Sequence, residues 1–472
     1  MLTVSERVTT DRAANMALWS SAPLVLKPKF FDNNQMGARY QMMRDQMGIG
    51  YHQYNLGWIG MEHPTIPPSA NPINCPTGFI SYPNNEDARR RLGFHAFHCY
   101  SQGALRVWDR LFRIDKDHGM QTGVVIAYTP EQFRHPNCTP FDFGASNLLP
   151  FCFPTPEGMD ALEDYVNLLA SRYNGQNANL GNARVRHFIM WNENAAGTWA
   201  NFRGQSSMNA DSTDLNYRAG RLANVMVRAH RAIKRHQTGA MLYFSTDSIW
   251  EATPEQVAHD GHLGTKRLLD RIWDRLGTSI DWSLAIHPYG APNQPAAPRH
   301  YNYYSLDFVH QYQVDKLKAL GQPVNSPQSY MIASEQGWPL NFSSDEQRAQ
   351  FVCRAHDTTV IKPYLIASAH NYFHQQPGDN GATQGDSYAL IPSSIPASLN
   401  GVQNHPIGRA YISSHPNVFK KSDTHYCCSQ HQIGCRSQAA SVRRKAATCS
   451  GLQRPPCWLY SGKCRFRSCY DS

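Results

Sequence analysis

The chain of 472 residues is poor in charge. Asp, Glu, Lys and Arg make up 17% of it, below the roughly 25% usual for a globular protein. No apolar run approaches the length of a membrane span. No P-loop, no dinucleotide-binding glycine fingerprint and no G-x-S-x-G elbow occurs, which removes phosphate-cradling loops and serine-elbow hydrolysis from consideration. Paired C-x-x-C spacing is missing, so the cysteines do not match a zinc pattern. The first thirty residues hold no signal-peptide apolar core. The compartment stays open, extracellular if the start of the sequence is incomplete. Neither internal repeats nor strong low-complexity tracts are present.

The net charge of +9 is unevenly placed. Ten Lys and Arg and only two acids lie between 420 and 472, so the body is nearly neutral. Seven of the 12 cysteines also lie in that tail; Cys75, Cys99, Cys138, Cys152 and Cys353 lie in the body. Apolar periodicity stops near Lys420, which sets a domain boundary there: a body over 1–419 and a basic, Cys-rich tail over 420–472. The tail reads as a small disulfide-stapled module, a disordered extension or a gene-prediction artefact. A basic tail could meet an anionic surface, nucleic acid or metal, but few aromatics interleave its bases (Trp458, Tyr460, Phe466), and no nucleic-acid partner is expected.

Hydrophobic residues form 41% of the chain, enough for a sizeable core. The body alternates short apolar runs with longer amphipathic ones, the rhythm of βα units and a parallel sheet. Eight strands are predicted: PLVLKP at 23–28, GYHQYNL at 50–56, GVVIAY at 123–128, RHFIMW at 186–191, AMLYFS at 240–245, DWSLAIH at 281–287, SYMIAS at 329–334 and YLIASAHNYF at 364–373. Helical patterns fall at 35–46, 104–117, 155–173, 214–236, 266–276 and 346–360. Thr155-Pro156-Glu157 has the residue types of a helix start, and Ser343-Ser344-Asp345-Glu346 resembles a capping box. This count predicts an α/β (β/α)8 TIM barrel. Irregular inserts at about 60–92 and 129–153 make long loops after strands two and three; loops of that length in a compact domain are usually functional.

In such a barrel the strand C-termini converge on one pocket. Strand four ends in Asn192-Glu193, and strand six in His287-Pro288-Tyr289. Strand seven ends in Ser334-Glu335-Gln336-Gly337 with Trp338 next, strand eight near His370, Asn371 and His374, and strand five leads to Asp247 and Trp250. Two glutamates at opposite strand tips are what retaining glycosidic cleavage needs, one protonating the leaving oxygen and one attacking the anomeric carbon. Glu193 and Glu335 are therefore the catalytic candidates. Asn192, His287, Tyr289, Trp338, His374, Asn55 and Trp250 are the substrate-binding candidates. Asn192 can donate to a sugar hydroxyl, and Tyr289 can donate to Glu335. Trp199 and Trp250 can stack on sugar faces or pack in the core. His95-x-x-His98-Cys99 and His135-x-x-Cys138 have ligand-type residues, but nothing in the sequence completes a metal set. No metal and no cofactor are called for.

The set Asn192-Glu193, His287-x-Tyr289 and Glu335 resembles the clan of retaining (β/α)8 glycoside hydrolases. More closely, segments such as SLAIHPYG, SEQGW, YFSTDSIW and EGMDALEDYVNLLASRY resemble a mainly bacterial barrel family described only as a domain of unknown function. The similarity covers about 23–419. It implies that Glu193 is the acid/base and Glu335 the nucleophile. Two positions differ: the close family has Gly where Trp191 stands, and an Arg common in the clan at the end of strand two is replaced by Asn55 or His52. The expected function is retaining hydrolysis of a β-linked oligo- or polysaccharide, hence polysaccharide degradation, by a monomer without a membrane span. The alternative is a barrel that binds carbohydrate without cleaving it.

Overall fold

The computed structural model describes residues 16–21, 40–46, 49–140, 151–289, 299–337 and 344–371. Its strands are β1 (Met16–Ser21), β2 (Tyr51–Gly57), β3 (Phe79–Tyr82), β4 (His98–Ser101), β5 (Gln121–Ala127), β6 (Val185–Met190), β7 (Met241–Thr246), β8 (Ser283–Ile286), β9 (Met331–Gln336) and β10 (Leu365–Asn371). Eight of them form a closed parallel barrel in the order β1-β10-β9-β8-β7-β6-β5-β2. The α-helices are α1 (Glu86–Leu92), α2 (Gln102–Asp117), α3 (Gly158–Arg172), α4 (Ser212–His236), α5 (Pro254–Asp260), α6 (Thr265–Leu276), α7 (Leu306–Ala319) and α8 (Asp345–Ile361).

Continuous apolar runs suit these strands because both faces are covered. Tyr51, Val125, Ile189, Tyr243, Ala285, Ile332 and Ala367 form the interior cluster. Their neighbours Val124, Ile126, Phe188, Met190, Phe244, Leu284 and Ala333 join the larger layer shared with the helices. This is the period-two alternation of a barrel wall. Gly123 is needed for close approach: a Cβ there would lie 2.0 Å from the Tyr51 hydroxyl. Gln53 Nε2 crosses the interior to donate to the Ser334 carbonyl at 2.8 Å.

Seven predicted barrel strands are found with ends shifted by one or two residues. The eighth, at 23–28, lies outside the described residues. The first barrel position is instead taken by β1, which pairs with both β10 and β2 and closes the ring. The boundary near Lys420 and the tail also lie outside the described residues. The insert after β2 is not irregular: β3 and β4 form an antiparallel pair, with α1 between them. Asn85 caps α1, accepting from the Ala88 N–H at 2.8 Å. The capping box of α8 is present, Ser344 Oγ accepting from Gln347 N–H and Gln347 Oε1 from Ser344 N–H. Helix α3 starts three residues later than expected, because Thr155-Pro156-Glu157 forms a turn closed by Gly158 N–H donating to the Thr155 carbonyl. Helix α7 was not legible, because its buried side includes Gln313 while Phe308 is exposed, which blurs the apolar stripe. Among the described residues no helix is long and apolar enough to cross a membrane.

Candidate active site

The chain leaves β6 through a strained turn. Trp191 and Glu193 both hold positive φ, 62° and 41°, which non-glycine residues adopt only when their surroundings enforce it. Trp191 N–H donates to the Ile126 carbonyl at 2.8 Å. Its indole Nε1 donates to the Trp199 carbonyl at 2.6 Å, and its ring lies 4.9 Å from that of Phe153. Beyond it, Glu193 N–H donates to Ser245 Oγ at 3.2 Å, and Asn194 Nδ2 donates to the Ser245 carbonyl at 3.0 Å. The tip of β6 is thus tied to the tip of β7, which aims the Glu193 carboxylate. Asn192 sits between these two residues and is buried.

Four of the predicted residues, Glu193, His287, Glu335 and Tyr289, form one chain of contacts. His287 Nδ1, just past β8, lies 2.8 Å from Glu193 Oε1 and 3.5 Å from Glu335 Oε2. The Tyr289 hydroxyl donates to Glu335 Oε1 at 2.5 Å. The Glu193 and Glu335 side chains are 19% and 15% exposed and His287 is 2% exposed, so the pair sits at a recess that solvent still reaches. Burial pushes the Glu335 carboxyl up and Glu193 adds to this, while His287 and the Tyr289 hydroxyl pull it down; the net direction is upward. Burial alone disfavours charge on His287, but Glu335, Glu193 and Asp247 outweigh it and raise its pKa. One imidazole therefore bridges the two carboxyl groups.

The remaining candidates divide. Asn55 is buried at the end of β2, and its Nδ2 donates to the Tyr128 hydroxyl at 2.7 Å. His52 belongs elsewhere, held by Asp115 Oδ1 at 3.0 Å and the Tyr54 hydroxyl at 2.8 Å. Trp250 is not brought to the carboxylates: it packs among Tyr301, Phe308 and Tyr312 beside α7, an aromatic cluster that buries it. Trp199 meets the ring of Phe151 at 4.5 Å, and Phe151 in turn meets Tyr128 at 5.1 Å. Trp338 and His374 lie outside the described residues. Sequence reading missed Tyr128, although it is the last residue of the predicted third strand. It also missed His262, whose Nε2 lies 3.0 Å from Asp247 Oδ2 while its Nδ1 accepts from the Gly264 N–H; that backbone bond fixes Nε2 as the donor to Asp247.

The metal-type motifs have other partners. Cys99 is bonded to Cys75 and Cys138 to Cys152. His98 is held between Glu62 and Asp164. His95, Asp160 and Glu163 bring ligand-type atoms within 4.8 Å of one another, but Arg228 and Arg231 already pair with those acids, and two cations there oppose a metal ion.

A model of a family of unknown function, DUF5722, matches residues 89–311. No curated protein matches the chain. Among solved structures, the fold is similar to a family 39 glycoside hydrolase from Bacteroides cellulosilyticus WH2, with a TM-score of 0.51 and 15% identity over 88% of this chain and 65% of that one. It is also similar to GH5_18 from Streptomyces cattleya in complex with GlcNAc, with a TM-score of 0.50 and 11% identity over 86% and 81% of the two chains. The chain spans less than two thirds of the first hydrolase's length. At these identities the likeness is one of fold, and it agrees with the resemblance read from the sequence: a barrel of the glycoside hydrolase type and a family of unknown function.

Proposed function

We propose that this chain is a retaining glycoside hydrolase acting on a β-linked glycan, with Glu335 as nucleophile and Glu193 as acid/base. The observation that carries this reading is the shared His287 nitrogen. Two carboxylate oxygens at 2.8 and 3.5 Å from one atom cannot be further apart than those distances combined. That bound accommodates the ~5–5.5 Å separation of a retaining pair. Glu335 attacks the anomeric carbon as the C–O bond breaks, and the leaving oxygen takes the Glu193 proton. Water then gives its proton to Glu193 and displaces Glu335. Tyr289 orients the nucleophile. The activity resides in 1–419 and does not require 420–472. The Cys75–Cys99 and Cys138–Cys152 disulfides fit an oxidising compartment.

Hydrolysis of a panel of 4-nitrophenyl β-glycosides, with the first-formed anomer followed by NMR, tests this. Retention in the wild type, with turnover abolished in a folded Glu335→Gln variant, is the expected result. An active Glu335→Gln protein, or an inverted product, contradicts it. Because His287 engages both carboxyl groups in the resting site, a barrel that only binds sugar is the second reading. Glycan binding without product at any pH supports that one instead.

A further inference from the structure

We propose that Asn55 and Tyr128 form a hydroxyl-recognition subsite beside Glu335, taking one hydroxyl of the sugar whose anomeric carbon the nucleophile attacks. This deepens the glycosidase reading and rests on it. Asn55 is 9% exposed and occupies the inward register of β2, two residues on from Gln53, which crosses the barrel interior. Its amide nitrogen donates to the Tyr128 hydroxyl. Its amide oxygen is buried and has no partner among the described residues, an arrangement that a folded protein rarely leaves unfilled. The Tyr128 oxygen accepts from Asn55, so its own proton remains to be donated. The pair thus offers one donor and one acceptor, both neutral. A sugar hydroxyl needs that complement, whereas a carboxylate or phosphate would need donors alone.

The pair is held in place. Tyr128 keeps a left-handed backbone, φ 68°, secured by Ile59 N–H donating to its carbonyl at 2.9 Å. Its ring lies against Phe151 on one side. On another it lies over Gly57, where a Cβ would come within 3.0 Å of the ring. Strain maintained at a non-glycine residue beside a cleft points to function. Burial, with a contribution from the Glu335 charge, pushes the phenol up to about 12, so it stays protonated as a donor. Gln53, on the same inward face of β2 as Asn55, donates to the carbonyl of Ser334, the residue before Glu335, which brings this face of β2 to the strand that carries the nucleophile.

The test is a cycle between protein and substrate. The kcat/KM of the wild type, Tyr128→Phe and Asn55→Ala is measured on the preferred 4-nitrophenyl glycoside and on its monodeoxy analogues. One deoxy position should lower wild-type kcat/KM by about 10- to 100-fold. Tyr128→Phe should lose a similar factor on the parent, yet lose little more on that one analogue. Equal losses on the parent and every analogue, with unchanged thermal stability, would mean a structural role and overturn the subsite. So would no loss at all. If no glycoside is cleaved, the glycosidase reading falls first, and calorimetric titration with glucose, mannose, galactose and xylose and their deoxy forms decides the subsite. A preference for one hydroxyl that Tyr128→Phe erases upholds it; no preference, or no binding, ends it.

Discussion

At the residue scale, the opening of the site depends on two residues in a conformation their side chains disfavour. A left-handed backbone costs an L-residue roughly 1–2 kcal/mol, and Trp191 and Glu193 both carry it. Glycine takes it freely, but neither residue is glycine. Here the buried indole, bonded to the Trp199 carbonyl and packed on Phe153, offsets the strain. Tyr289 acts on Glu335, the proposed nucleophile, in a way that can be read from a pH profile. Its hydroxyl lowers the Glu335 pKa, against burial and Glu193, which raise it. Removing it in Tyr289→Phe should raise the Glu335 pKa further. The attacking form is the carboxylate, so the acid limb of the kcat/KM profile should move to higher pH. An unmoved acid limb would show that Tyr289 does not govern the ionisation of Glu335.

The paired glutamates were legible because each closes an apolar run, and His287 and Tyr289 because they follow one. Tyr128 was not, because a tyrosine ending an apolar strand looks like core; only the fold shows its hydroxyl bonded to Asn55. Trp250 misled for the converse reason, since position near a strand end does not set the direction of a ring.

At the element scale, one buried imidazole helps to fasten the β3–β4 insert to α3. His98 Nδ1 lies 2.6 Å from Glu62 Oε1 and its Nε2 3.0 Å from Asp164 Oδ2, with all three side chains buried. The Trp58 indole N–H donates to the other Glu62 oxygen, and the His95 and Ala96 amides donate to Asp164. Burial pushes the His98 pKa down, but the charge of Glu62 and the bonds to both acids outweigh it and raise it to about 9. An unfolded histidine titrates near ~6.5. The folded state therefore binds this proton more tightly. Its contribution is full below the unfolded pKa and is lost as pH rises through about 9, a change on the order of 3 kcal/mol. Urea unfolding of the wild type and His98→Gln should show a stability gap that shrinks from pH 6 to pH 10. A gap constant with pH would mean that His98 is not held as an imidazolium. The histidine motif looked like metal ligation in sequence because the acids that pair with His98 lie far from it in the chain and meet it only after folding.

At the scale of the whole molecule, closure is the decisive feature. Strand β1 pairs with β10 on one side and β2 on the other. Without it two parallel edges would be exposed, and exposed edges invite association. A chain beginning at residue 22 should aggregate or lose cooperative melting; unchanged melting would show that β1 is dispensable. The barrel was legible from seven runs spaced by helical patterns, since strands buried on both faces announce themselves by continuous hydrophobicity. Its first strand was not, because MALWSS contains no β-branched residue and carries a weak strand signal.

The central claim is that Glu335 becomes covalently bonded to sugar. Intact mass spectrometry and peptide mapping after incubation with a panel of 2-deoxy-2-fluoro glycosides and cyclophellitol-type probes tests it most directly. The account predicts one adduct, mapped to Glu335 and absent from Glu335→Gln. A label on another residue, or hydrolysis of aryl glycosides with no adduct from any probe, would contradict it.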